Sequence, residues 1–158
     1  MKYTNYKLCY KSICNSKLVF IDCNNIINKT TFCKIKNSYL LTNSIGEDFY
    51  SYNSFSILFN DIWKVLTKEK NLGTYSGDTN FLTYEKNTLE IENLFLNDSE
   101  TEYDICTIEI IEFMKLSLIW AEANYYLQKK LKINWDVPME WIETQWKLIK
   151  KYEENINE

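Results

Sequence analysis

Apolar residues recur along this chain with two different periods, and the change of period divides it into strand-like and helix-like stretches. Tyr6–Cys14, Lys17–Asp22 and Ile26–Ile35 are short runs rich in Ile, Val, Phe, Tyr and Thr, separated by Asn/Ser pairs. Such side chains suit a pleated, half-buried surface. Asn15-Ser16 and Asn24-Asn25 fall where tight turns belong, so an antiparallel meander is predicted. Tyr39–Leu41 would extend it by one more strand. The period then changes. Phe55, Leu58, Phe59, Ile62 and Leu66 form one stripe at helical spacing, which predicts a helix over about Ser54–Lys70. Ser54 or Asn53 suits its first turn as a cap, Lys68 and Lys70 suit the negative end of its dipole, and Gly73 lies just past it.

Gly73–Asn80 holds two of the chain's three glycines and reads as a loop. Phe81–Tyr84 and Thr88–Leu96 read as strands. In the second, Leu89 and Ile91 alternate with Glu90 and Glu92, which turns the two glutamates to water. Asn97–Glu102 is a polar loop, and Tyr103–Cys106 is the returning strand. A long helix follows over about Ile108–Leu131. Leu116, Trp120, Ala123, Leu127 and Leu131 form one stripe on it, and Met114, Leu118, Ala121 and Tyr125 a second beside the first. So wide an apolar arc predicts a central helix, packed on more than one side. Asn134–Val137 break the pattern. Pro138 then opens a last helix carrying Trp141, Ile142, Trp146, Ile149 and Tyr152. The predicted class is α+β: an antiparallel β-sheet packed against about three α-helices, two of them after the last strand. The 158 residues fit one domain spanning 1–158.

Composition narrows the chemistry. The chain has no histidine, and all 18 of its basic residues are lysines. Histidine is the usual proton shuttle and the commonest metal ligand. Arginine is the usual bidentate clamp for carboxylate and phosphate. Their absence points away from an enzyme. Charge is also uneven. Residues 1–40 hold seven lysines and one acid, whereas residues 85–122 hold ten acids and only Lys86 and Lys115, within a net charge of −4. Opposed electrostatic faces follow if the fold keeps these segments apart. Five cysteines without a secretion signal fit a reducing compartment, and no apolar run reaches the length of a membrane span. A soluble, cytoplasmic protein is expected.

The remaining candidate motifs are weak. Cys9, Cys14, Cys23 and Cys33 lack the close pairs of zinc sites, and Cys106 has no histidine to activate it. The Gly73–Asn80 loop matches neither common phosphate-binding glycine motif. The acids of 85–122 carry no signature spacing for a catalytic pair. No metal and no cofactor are expected. Two alternatives to a plain binding protein stay open. One is a small carboxylate-dependent enzyme. The other is a nucleic-acid binder using Lys2, Lys7, Lys11, Lys17, Lys29, Lys34 and Lys36 beside Tyr3, Tyr6, Tyr10 and Phe32. A pI near 5.0 disfavours the second. Trp135, Trp141 and Trp146 fit either a partner surface or a helix docked on its own core.

The loop Gly77-Asp78-Thr79-Asn80-Phe81-Leu82, the acidic hairpin Thr88–Cys106 and the helix Glu109–Tyr126 with its Trp120 give the chain an outline. That outline resembles the immunity proteins of bacterial polymorphic-toxin systems, including contact-dependent growth inhibition. The resemblance implies a small cytoplasmic binder that neutralises a cognate protein toxin and has no catalytic residues of its own. A nuclease-type toxin carries a basic cleft, which an acidic surface would occupy. Glu90, Glu92, Asp98, Glu100, Glu102 and Asp104 are the candidate partner-binding residues.

Overall fold

The computed structural model describes residues 7–13, 16–22, 36–49, 51–94, 104–132 and 134–156. Two strands, β1 (Lys7–Ile13) and β2 (Ser16–Asp22), pair antiparallel from Lys7↔Asp22 to Ile13↔Ser16. They are the first two strands of the expected meander. The third, Ile26–Ile35, lies outside the described residues.

Tyr39–Leu41 is helical, not a strand. It belongs to α1 (Ser38–Asn43), which runs into a single π-helical turn over Ser44–Asp48. Leu40 and Leu41 are adjacent and both fully buried. A strand would send them to opposite faces. A helix brings Leu41, Ile45 and Phe49 to one side at four-residue spacing, and all three are core residues.

The next helix, α2 (Tyr52–Leu66), buries Phe55, Leu58, Phe59, Ile62, Val65 and Leu66, the predicted stripe plus Val65. It starts earlier than expected because Ser51 caps it. The Ser51 hydroxyl accepts the Ser54 N–H at 3.2 Å, displacing Ser54 and Asn53 from that role. It also ends earlier. Lys68 takes a left-handed φ of 63°, and the Lys68 and Glu69 N–H groups donate to Val65 and Lys64 carbonyls at 3.1 and 2.9 Å. That turn is a Schellman stop, with lysine where glycine is usual.

Four strands then form one antiparallel sheet: β3 (Leu72–Ser76), β4 (Asn80–Glu85), β5 (Thr88–Asn93) and β6 (Ile105–Glu109), in that spatial order. The expected loop therefore shrinks to Gly77–Thr79. Gly73, expected in the loop, lies in β3 opposite Tyr84, whose ring covers it. Leu82, Ile91 and Cys106 form one buried row across the sheet, and Tyr84, Leu89 and Ile108 another.

Two helices complete the domain, α3 (Ile110–Leu131) and α4 (Met139–Ile156). All the helices that meet the sheet do so on this buried side. The α2 helix lies against β3 and β4, α1 against β5 and β6, and α3 against β5, β6, β2 and α4. Burial of Phe113, Met114, Leu116, Leu118, Trp120 and Ala121 places α3 at the centre, as its wide apolar arc predicts. Rings of Phe49, Phe55, Phe59, Phe113, Trp120 and Trp141 meet one another at 5.2–6.2 Å. Trp135 stacks edge-on against Trp120 at 5.7 Å, so it docks on the core. The described residues form an α+β fold with four helices, one more than expected. Among the described residues, no helix is long and apolar enough to cross a membrane.

Candidate functional site

The side of the sheet away from the helices is a candidate binding face. The register places Leu72, Glu85, Thr88 and Glu109 in its first row, Thr74, Thr83, Glu90 and Thr107 in its second, and Ser76, Phe81, Glu92 and Ile105 in its third. This side is open, with Thr74, Glu85, Glu90, Thr107 and Glu109 all exposed. Four of its twelve positions are glutamates and none is a lysine. None of the four glutamates lies directly opposite another; Glu90 sits between Thr83 and Thr107, and Glu92 between Phe81 and Ile105. That spacing spreads the negative charge without placing two like charges in one cross-strand pair. Among the described residues, none of the four glutamates is in an ion pair. The face offers carboxylate acceptors, threonine hydroxyls and two exposed apolar side chains, Leu72 and Ile105, at its corners.

The expected contact residues divide three ways. Glu90 and Glu92 lie on this face, as the alternation with buried Leu89 and Ile91 predicts. Asp104 does not: it precedes Ile105 by one residue, which turns its side chain to the helix side, where it accepts the Tyr39 hydroxyl of α1. Asp98, Glu100 and Glu102 lie outside the described residues. Glu85 and Glu109, which were not among the expected contacts, complete the face. Their signal was the register, which carries β6 three residues past Cys106 to Glu109.

Other acids of the molecule are tied into the fold. Lys115 bridges Glu112 at 3.4 Å and Glu153 of α4 at 2.6 Å. Asp61 receives Lys70 at 2.8 and 2.9 Å and the Tyr84 hydroxyl at 2.7 Å. Burial pushes the Asp61 carboxyl up, but hydrogen bonds from Lys70 and Tyr84 outweigh it and hold the carboxyl below its ordinary value. Burial and the same carboxylate raise the Tyr84 phenol far above its ordinary range. Asp48 is almost wholly buried and accepts from the Thr79 N–H at 2.8 Å, the Thr79 hydroxyl at 3.1 Å and the Asn80 amide at 3.0 Å. It clasps the β3–β4 turn to the π-helical turn. Burial pushes the Cys106 thiol up to about 11, against a smaller opposing effect of a Leu41 backbone hydrogen bond, so it stays a protonated core group.

Comparison with known proteins gives no further guide. No family model, curated protein or solved structure matches this chain. The chemistry of the open face therefore stands alone. It suits recognition of a complementary, positively charged surface.

Proposed function

We propose that this protein is a non-catalytic binding protein whose acidic sheet face docks on a basic surface of a protein partner. In its most specific form, it is a cytoplasmic immunity protein that neutralises a cognate nuclease-type toxin by covering the toxin's basic cleft. The carrying observation is the concentration of Glu85, Glu90, Glu92 and Glu109 on one open face without a lysine. Complementary charge speeds encounter more than it strengthens the final complex. That suits an inhibitor that must reach a toxin before the toxin reaches its substrate. The resemblance to immunity proteins supplies the partner class.

The test starts from the reading frame next to this chain's own, where a secreted toxin is expected, and measures stopped-flow association with the C-terminal domain of that toxin. A neighbouring frame that encodes no toxin would count against the immunity reading. A variant carrying Glu85→Gln, Glu90→Gln, Glu92→Gln and Glu109→Gln is compared with the wild type at low salt. Association is expected to slow by about tenfold or more, the scale at which electrostatic steering acts, and protection in cells to fall with it. Equal association rates for the two proteins would refute the acidic-face mechanism.

A further inference from the structure

A second surface feature has the opposite charge and begins at the edge of the acidic face, where Lys86 follows Glu85 in the β4–β5 turn. A groove of about 380 Å³ lies between the C-terminal end of α2, the β4–β5 turn and α4; Val65, Leu66, Lys68, Lys70, Asn71, Lys86, Asn87 and Tyr152 line it. Its volume falls within the range of small-molecule sites. Three lysines line it, and no carboxylate residue is among its lining. Lys70 is held by Asp61. Among the described residues, Lys68 and Lys86 are in no ion pair. Glu109, Glu112 and Glu153 line an adjoining groove that shares Leu66, Asn87 and Tyr152 with this one, and Lys115 bridges the last two of those acids.

The backbone fixes where these lysines stand. Lys68 occupies the left-handed position of the α2 Schellman stop, at φ 63°. Lys86 occupies the first position of the two-residue turn between paired Glu85 and Thr88, at φ 53°. Glycine or asparagine adopts such angles more readily than lysine. None of the chain's three glycines is used at a positive φ. The two turns are tight and hydrogen-bonded, so they fix the backbone positions from which both lysines line the groove. Asn71 and Asn87 add amide donors, and Tyr152, packed on Trp63 at 5.9 Å, adds a flat wall. We infer that this groove binds a phosphate dianion, free or as the monoester of a small organic molecule. Lys68 and Lys86 supply the charge, and Leu66 and Tyr152 the apolar wall.

Calorimetric titration of the full chain at low salt tests this with inorganic phosphate, adenosine 5′-monophosphate and adenosine. Saturable binding of inorganic phosphate is expected, and tighter binding of the monophosphate would identify a monoester as the source. The double variant Lys68→Asn, Lys86→Asn removes both charges and places a residue at each turn that tolerates the left-handed angle. Its melting temperature should equal or exceed the wild type's, while phosphate binding weakens by about ten- to hundredfold, the loss expected of charge-assisted contacts. Absence of saturable binding of both phosphates, binding of adenosine as tight as the monophosphate, or a variant that binds phosphate as tightly as the wild type would overturn the site.

Discussion

Gly73 and Gly77 are glycines because two other side chains occupy the space a methyl group would need. A Cβ at Gly73 would overlap the Tyr84 ring, and one at Gly77 would overlap the Asp48 carboxyl. Gly46, in the π-helical turn, has nothing within 4 Å. These three positions make a controlled set. Gly73→Ala is expected to destabilise the fold by about 1–3 kcal/mol through overpacking. Gly46→Ala is expected to stabilise it by about 0.5–1 kcal/mol by restricting the unfolded chain. Urea unfolding of the two variants should show midpoints moving in opposite directions. Asp48→Ala should cost about 3 kcal/mol, because it removes the acceptor of the half-buried Thr79 donors and of the buried Asn80 amide. Cys106 gives a further residue-scale expectation. Its buried thiol should resist iodoacetamide near neutral pH in the folded protein and react once the chain is unfolded.

Elements were legible where a single face decides burial. The α2 and α4 stripes and the alternation in β5 read directly from the sequence because one side of each meets the core, and the wide arc of α3 reads as a central helix because more than one side of it does. The α1 segment did not. Its spacing at Leu41, Ile45 and Phe49 is helical, but Gly46-Glu47-Asp48 interrupts it with residues typical of turns. The β3 strand failed for a related reason, since its buried position is a glycine that carries no apolar signal. The face was half legible: alternation within one strand found Glu90 and Glu92, whereas Glu85 and Glu109 join them only through register between strands. Asp104 misled because composition does not record which side of the sheet a side chain takes. At this scale stability should depend on pH through the contact between α2 and the sheet. The Asp61 carboxyl is held below its unfolded value, so its contribution is complete above about pH 4 and is lost as pH falls through the folded value. Acid denaturation followed by circular dichroism should therefore be shallower for Asp61→Asn than for the wild type. At the alkaline end, burial lowers Lys115 but its hydrogen bond to Glu153 and the charge of Glu112 raise it more. That contribution is complete below about pH 10 and fades as pH rises through the folded value, so Lys115→Met should flatten the alkaline limb.

Over the whole molecule, charge is arranged by surface more than by amount. A net charge of −4 is modest for 158 residues, yet the open sheet face carries four glutamates and no lysine, while Lys68, Lys70 and Lys86 gather at the groove beside the β4–β5 turn. Folding gains nothing from holding like charges on one face, because their mutual repulsion opposes the compact state. A face kept for binding and a face that is merely solvated therefore predict different responses to mutation only when a partner is present, but both predict the same electrostatic cost in the isolated chain. That cost is measurable. Raising ionic strength from about 0.01 M to about 0.15 M shortens the screening length from roughly 30 Å to roughly 8 Å, which should relieve the repulsion and raise the wild-type melting temperature. Replacing Glu85, Glu90, Glu92 and Glu109 by Gln brings the formal net charge from −4 to zero. That variant should melt at or above the wild type at low salt and respond less to added salt. Equal salt responses would mean that the four carboxylates are already compensated within the fold, and a compensated face has little field left with which to steer a partner.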